Sequence, residues 1–185
     1  MYRYSGFLRN FLGLLGLVSS VAQDPVGCEG YLKPSLVRIL LVEDFRPQRS
    51  LTASLLSKDS TLAIISEAND GLEAIEQAQR LRPDVILLDI GLPKLNGLAT
   101  ARRIRNLIPS VKIVFVTQET DIDVVKEAFS LGALGYVHKQ DAASSLLAAV
   151  VAVLRGERFV SRTLGKGEPS RPGGIRWEVP RSPDP

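Results

Sequence analysis

Short apolar segments rich in Val, Ile and Leu recur at regular intervals along the middle of the chain, and each is followed by a stretch of helical periodicity. Their residues are apolar without alternation, which is typical of strands buried on both faces of a sheet. The five predicted strands are Val37–Val42, Leu62–Ala68, Asp84–Asp89, Val111–Val116 and Gly135–His138. Such strands need helices on both faces, so the pattern predicts an α/β fold with a doubly wound, five-stranded parallel sheet.

Helices are predicted between the strands from apolar residues spaced three or four apart and from residues that begin or end helices. Pro47 suits the first turn of the first helix, because the amide donor that proline lacks is unused there. Thr120 and Asp141 are predicted to cap the fourth and fifth helices through their side-chain oxygens. The predicted helix ends lie near Lys58, Pro83, Pro109, Gly132 and Gly156.

Composition divides the 185 residues into an N-terminal extension (1–35), a single domain (36–161) and a Pro/Gly-rich tail (162–185). The extension carries arginines, a short apolar core and then small residues. It is therefore either a secretory signal or a non-native upstream segment, and it is expected to be poorly ordered. The tail is expected to be disordered, because proline and glycine disfavour helices and sheets. Trp177, its only large aromatic residue, belongs either to a short docking motif or to an unstructured end.

Residue counts exclude several functional classes. The formal charge is +3, from 23 basic and 20 acidic residues, which is too small to indicate nucleic-acid binding by itself. The single cysteine, Cys28, permits no internal disulfide and no cysteine-based zinc cluster, and the single histidine, His138, excludes a mechanism that needs two. No apolar run reaches roughly 18 residues, so no membrane-spanning helix is expected.

Charged and polar residues come at the end of, or directly after, four of the predicted strands: Glu43 and Asp44, then Asp89, Thr117 and Lys139. Functional residues of an open parallel sheet collect at the carboxyl ends of its strands. Three carboxylates in one crevice repel each other, and Mg²⁺, which prefers carboxylate oxygens, relieves that repulsion. The set therefore suits transfer of a phosphoryl group to Asp89 as the nucleophile, with Lys139 and the metal stabilising charge on the transferred oxygens. Thr117 can donate a hydrogen bond to the same group.

Taken together, these segments resemble the receiver domain of two-component response regulators over about residues 36–160. The motifs that carry the resemblance are Val37–Asp44, Asp70–Ala74, Pro83–Pro93, Asn96–Gly97, Val114–Thr117 and Gly132–Lys139. The resemblance implies the (βα)5 flavodoxin-like receiver fold and a non-enzymatic signalling module. Residues 141–161 look like the end of the receiver half of LuxR-type regulators.

The resemblance also implies a role for each site residue. A Mg²⁺ ion would be held by three carboxylates and one main-chain carbonyl, those of Glu43, Asp44, Asp89 and Gly91. Asp89 would accept a phosphoryl group from a histidine kinase or phosphotransfer protein, and Thr117 and Lys139 would contact it. Tyr136 matches the switch aromatic, which moves inward when Thr117 closes on the phosphate. The alternative for Tyr136 is a half-buried strand residue with no such role.

Partners and location follow from the same resemblance. The fourth helix, fifth strand and fifth helix would form a switch face that binds a partner or a second copy after phosphorylation. The kinase and phosphodonor are cytoplasmic, so we expect a cytoplasmic protein that does not associate with a membrane. LuxR-type regulators usually continue into a helix-turn-helix domain. Only Pro/Gly-rich residues follow position 161 here, so no DNA-binding domain is expected in this chain.

The chain departs from the receiver pattern at Gln140, where most receivers carry a proline after a cis bond. A cis bond before glutamine costs about 2.5–4 kcal/mol more than trans, so a trans bond is expected. Two other functions stay open at this stage. One is a degenerate receiver that binds partners without phosphorylation. The other is a flavodoxin-like cofactor binder, although the loop Glu43–Phe45 would repel a phosphate.

Overall fold

The computed structural model describes residues 36–165 of the chain. The proposed extension (1–35), residues 166–185 and Trp177 lie outside the described residues. The helices and strands follow the order β1 (Val37–Val42), α1 (Arg46–Leu56), β2 (Leu62–Ala68), α2 (Gly71–Leu81), β3 (Val85–Leu88), α3 (Gly97–Leu107), β4 (Lys112–Thr117), α4 (Ile122–Ser130), β5 (Gly135–His138), α5 (Ala142–Leu154) and β6 (Phe159–Val160). Among these helices, none has the length and apolarity needed to cross a bilayer.

The predicted doubly wound parallel sheet is confirmed, with the strand order β2-β1-β3-β4-β5-β6 and parallel pairing throughout. Successive side chains of the strands point to opposite faces, and each face has its own apolar core. Helices α2, α3 and α4 cover one core, which includes Ile86, Phe115 and Tyr136. Helices α1 and α5 cover the other, which includes Leu87 and Val137. Burial on both faces explains why the strands read as continuous apolar runs.

The sheet has six strands rather than the five predicted. The additional strand, β6, is two residues long and pairs with β5 at the sheet edge. Gly156 has a left-handed φ of 81°, which suits glycine and lets the chain reverse after α5. The amide of Phe159 then donates to the carbonyl of Leu134 at 2.8 Å. A strand of two residues has no periodicity, so the sequence pattern could not predict it.

One predicted helix cap is wrong, and the other is at the predicted residue but lacks the side-chain bond. Helix α4 is capped by Asp121 rather than Thr120, and the Asp121 carboxylate accepts a hydrogen bond from the amide of Asp123. Asp141 is the N-cap residue of α5, as predicted, but its carboxylate accepts a hydrogen bond from the amide of Thr163 rather than from the first turn of the helix. The remaining strand and helix bounds agree with the predicted ones to within about two residues, which is the usual uncertainty of such boundaries.

The loop between β3 and α3 is fixed against the start of α2. Asp70 caps α2 by accepting hydrogen bonds from the amides of Leu72 and Glu73, and it also pairs with Lys94. Lys94 lies in the loop with a left-handed φ of 62°, which is unfavourable for lysine unless contacts hold it there. The backbone bond from Glu73 and the bond from Lys94 hold the pKa of the Asp70 carboxyl below its usual range.

The contacts of the Asp70 carboxylate should be visible in the pH dependence of the free energy of unfolding. Because the pKa of Asp70 is depressed in the folded state, its contribution is present above the unfolded pKa of about 4 and is lost as the pH falls further. Asp70→Asn retains a capping oxygen but removes the charge. We expect the variant to be less stable than the wild type at neutral pH, and the two urea-unfolding curves to converge at acid pH. Asp123→Asn is the exposed control, and an unchanged difference at all pH values would contradict the assignment.

Truncation of a core side chain in the central strand β3 should strongly reduce the stability of the domain. Ile86 has no exposed surface and contributes to the core under α2, α3 and α4. Ile86→Ala is expected to lower the free energy of unfolding in urea by roughly 2–5 kcal/mol. Leu51→Ala, on the exposed side of α1, serves as the control and should cost less than about 1 kcal/mol. Equal losses for the two variants would contradict the assignment of the core.

Candidate functional site

Three carboxylates meet at the carboxyl ends of β1 and β3. These strands are hydrogen-bonded neighbours, and Val42 pairs with Leu88, so the residues that follow each strand lie side by side. Glu43, Asp44 and Asp89 each offer a carboxylate oxygen within 4.8 Å of the others. Glu43 and Asp89 are buried, whereas Asp44 is exposed. Carboxylate oxygens at such distances, without sulfur or imidazole ligands, suit a hard divalent cation such as Mg²⁺.

Lys139 bridges two of these carboxylates. Its Nζ atom lies 2.7 Å from Oε2 of Glu43 and 2.8 Å from Oδ2 of Asp89. Burial alone would lower the pKa of Lys139, but the hydrogen bonds to the two carboxylates outweigh it and raise this pKa. For Glu43 the balance is different, because burial raises the pKa of its carboxyl more than Lys139 lowers it. One part-buried ammonium thus partly compensates a cluster of three acidic side chains.

The Asp89 side chain is held at both oxygens. Oδ1 accepts a hydrogen bond from the amide of Ile90 at 2.7 Å, and Oδ2 accepts the one from Lys139. The following loop passes close to it: a Cβ added at Gly91 would lie 3.7 Å from Oδ2 of Asp89. A Cβ at Gly97 would overlap the main-chain oxygen of Asp89, so the close approach of α3 to Asp89 requires glycine there. Sequence reasoning did not assign a role to Gly97.

Thr117 and Tyr136 are linked through the backbone of Glu119. Thr117 ends β4 in a buried position, and its Oγ accepts a hydrogen bond from the amide of Glu119 at 3.3 Å. Tyr136 has no exposed surface, and its hydroxyl donates to the carbonyl of Glu119 at 3.1 Å. Its ring packs against that of Phe115, with 6.1 Å between centroids. Tyr136 is therefore fully buried rather than half-buried, and its switch role stays a prediction.

The structure thus brings Glu43, Asp44, Asp89 and Lys139 into one crevice, with Gly91 in the loop after β3 and Thr117 at the end of β4. The peptide bond before Gln140 is trans, as expected, and no cis bond occurs among residues 36–165. His138 lies at the end of β5, where its Nδ1 accepts a hydrogen bond from the amide of Gln140. The protein combines a doubly wound parallel sheet with an acidic crevice that one lysine bridges. This combination places it in the class of flavodoxin-like receiver folds.

The chain belongs to the family of response regulator receiver domains, which matches residues 39–151. It is 33% identical over 126 residues to the transcriptional activator protein ExaE of Pseudomonas putida, covering 68% of this chain and 59% of that protein. The chain therefore spans little more than half the length of this relative. It also resembles the crystal structure of a LuxR-family two-component response regulator from Aurantimonas sp., with a TM-score of 0.68 and 30% identity. That match covers 71% of this chain and 94% of the other, and it confirms the expected resemblance to LuxR-type receivers.

Some relatives carry a receiver domain within an enzyme. The protein-glutamate methylesterase/protein-glutamine glutaminase 4 of Myxococcus xanthus is 38% identical over 109 residues, which cover 58% of this chain but only 31% of that enzyme. The shared part is the receiver domain, which is generally not enzymatic. Residues 39–151 are accordingly assigned as a receiver domain of two-component systems.

Removing the bridging Lys139 should show how strongly the buried carboxylates destabilise the fold when no ammonium pairs with them. Lys139→Met leaves Glu43 and Asp89 buried without their cation, and it is expected to lower the free energy of unfolding by about 3 kcal/mol. Added Mg²⁺ should restore part of this loss, because it supplies positive charge to the same carboxylates. Lys126→Met, which removes an exposed ion pair within α4, is the control and should change stability by less than about 1 kcal/mol. Equal losses would contradict the bridging role.

Proposed function

We propose that the protein is a phosphoacceptor of a two-component phosphorelay, in which Asp89 accepts a phosphoryl group from the phosphohistidine of a histidine kinase or phosphotransfer protein. The observation that carries this proposal is the convergence of three carboxylates and the Lys139 ammonium at one crevice. Mg²⁺ would be held by the carboxylates of Glu43, Asp44 and Asp89 and by the main-chain carbonyl of Gly91. When bound, the cation would neutralise charge on the phosphoryl oxygens.

The transfer step uses a carboxylate oxygen of Asp89 as the nucleophile. An oxygen–phosphorus bond forms at Asp89 while the nitrogen–phosphorus bond of the phosphohistidine breaks, and the imidazole leaves with the electron pair of that bond. Lys139 already contacts Oδ2 of Asp89, so it is close enough to pair with a phosphoryl oxygen as charge moves there. The Thr117 hydroxyl, at the end of β4, would donate a hydrogen bond to another phosphoryl oxygen.

The same residues offer a path from the phosphoryl group to the face formed by α4, β5 and α5. A Thr117 hydroxyl that turns towards the phosphoryl group gives up its bond from the amide of Glu119. The carbonyl of Glu119 is the partner of the Tyr136 hydroxyl, so the position of Tyr136 depends on that loop. We propose that this coupling changes the face for binding a partner or a second copy of the chain. Residues 36–161 would act as the receiver unit in the cytoplasm.

A second candidate is a degenerate receiver that binds its partners without phosphorylation. The observation in its favour is that Lys139 pairs with both Glu43 and Asp89, so part of the acidic charge is compensated without a metal ion. Under this alternative the crevice would bind Mg²⁺ weakly and Asp89 would stay unmodified. Titration of the chain with Mg²⁺ by calorimetry distinguishes the two functions directly.

The proposed function predicts Mg²⁺-dependent modification at a single aspartate. Incubation of the full chain with acetyl phosphate and Mg²⁺ is expected to add one phosphoryl group, read by intact mass, and chelation of Mg²⁺ should abolish it. Asp89→Asn should show no addition, because the amide is not a nucleophile comparable with the carboxylate.

Asp84→Asn is the matched control, since Asp84 lies at the opposite end of β3, where its carboxylate accepts from the amide of Arg38. It should be labelled like the wild type. Labelling of Asp89→Asn at the same stoichiometry would refute Asp89 as the acceptor. No labelling of a folded wild type, together with no Mg²⁺ binding, would support the degenerate receiver.

A further inference from the structure

The loop that carries Lys139 has no covalent restraint of its own. Lys139 begins a single 3-10 turn, Lys139–Asp141, between β5 and α5. The next residue is Gln140 after a trans bond, so no proline ring limits the backbone there. The ammonium is nevertheless placed between two carboxylate oxygens, at the end of a side chain with four flexible carbons. Something else must hold the backbone of this loop.

Ser161 holds the chain directly before Lys139. It follows β6 and is almost fully buried, with 1% of its surface exposed. Its Oγ accepts a hydrogen bond from the amide of His138 at 2.9 Å, and its own amide donates to the carbonyl of Tyr136 at 2.9 Å. These two bonds extend the pairing of β5 to the residue before Lys139. The Ser161 hydroxyl thus replaces a main-chain acceptor that the short strand β6 does not provide.

Asp141 holds the loop on the other side of Lys139. Its Oδ2 accepts a hydrogen bond from the amide of Thr163 at 2.8 Å. Burial would raise the pKa of the Asp141 carboxyl, but the hydrogen bond from Thr163 outweighs it and lowers this pKa. The residues that flank the lysine are therefore each bonded to the segment Phe159–Leu164, which we call the β6 segment.

The β6 segment is itself anchored on the α4 side of the sheet. The Arg158 guanidinium, next to the segment, lies 5.5 Å from the centroid of the Phe129 ring in α4. Leu164 packs against the core that α2, α3 and α4 cover. A segment with contacts of this kind can fix a neighbouring loop rather than follow its motion.

We propose that Ser161 and Asp141 are positioning residues for Lys139, which act by fixing the loop to the β6 segment so that Nζ stays between Glu43 and Asp89. Neither side chain touches the carboxylate cluster or a phosphoryl group in this assignment. The effect on phosphorylation rests on the proposed function of Asp89, whereas the placement of Lys139 rests only on the contacts described here. A small displacement of a charge-stabilising group can slow a reaction by about a hundredfold.

The test measures the protection of the Lys139 amine in the full chain. Without Mg²⁺ and phosphodonor, the protein is treated with a limiting amount of an acetylating reagent, and each lysine is quantified by peptide mass spectrometry. Ser161→Ala is expected to raise the acetylation rate of Lys139 by about threefold or more relative to exposed Lys126, because the loop opens locally. Ser161→Thr retains the hydroxyl and should restore protection. Ser130→Ala, which removes a hydroxyl bonded to the backbone at the end of α4, is the matched control.

A second pair of variants addresses the other contact. Asp141→Ala should raise the acetylation of Lys139, whereas Asp141→Asn keeps an oxygen that can accept from Thr163 and should stay close to the wild type. Amide exchange in β1 and β3 verifies that the sheet is intact in each variant. With acetyl phosphate and saturating Mg²⁺, Ser161→Ala and Asp141→Ala are expected to be phosphorylated more slowly than their conservative partners.

Unchanged Lys139 protection in both alanine variants would overturn the proposal. Loss of protection in Ser161→Thr and Asp141→Asn to the same extent as in the alanine variants would also overturn it, because the hydrogen-bonding atoms would then be irrelevant. If the wild type itself takes up no phosphoryl group, the proposed function fails. The acetylation pattern still decides whether Ser161 and Asp141 position Lys139.

Discussion

The ion pairs of Lys139 with Glu43 and Asp89 join the three strands on which the crevice is built. Glu43 follows β1, Asp89 follows β3 and Lys139 follows β5, so one ammonium connects the carboxyl ends of strands that are far apart in sequence. Burying two carboxylates costs free energy unless a cation is present. The position of this lysine therefore affects both the local stability and the net charge of the crevice.

The fold was predictable because a parallel sheet buried on both faces leaves a strong trace in the sequence. Continuous apolar runs such as Val85–Leu88 are typical of strands that helices cover on both sides, and the residue type after each run is equally informative. The acidic cluster followed from order alone: neighbouring strands β1 and β3 bring their next residues together. These features depend on local pattern and on the general rules of parallel sheets, so they can be derived without coordinates.

The features that could not be predicted depend on contacts between distant segments. The choice of Asp121 over Thr120 as a cap depends on the path of the chain into α4, and the diversion of Asp141 to Thr163 depends on where β6 returns. The burial of Tyr136 depends on packing against Phe115. Strand β6 is too short to have a period of its own, so Ser161 carried no recognisable signal in the sequence.

The end of β5 is where the charges of the crevice and the packing of the α4 side meet. The Tyr136 hydroxyl is bonded to the loop after β4, its carbonyl is bonded to Ser161, and Lys139 lies three residues further along the chain. These contacts connect the loop after Thr117 to the backbone that carries Lys139 through one side chain and one strand. Because packed interiors rearrange between discrete states rather than deform continuously, such a connection can transmit a local change in charge. The β6 segment lies at the far end of that connection, where Ser161 is bonded to both Tyr136 and His138.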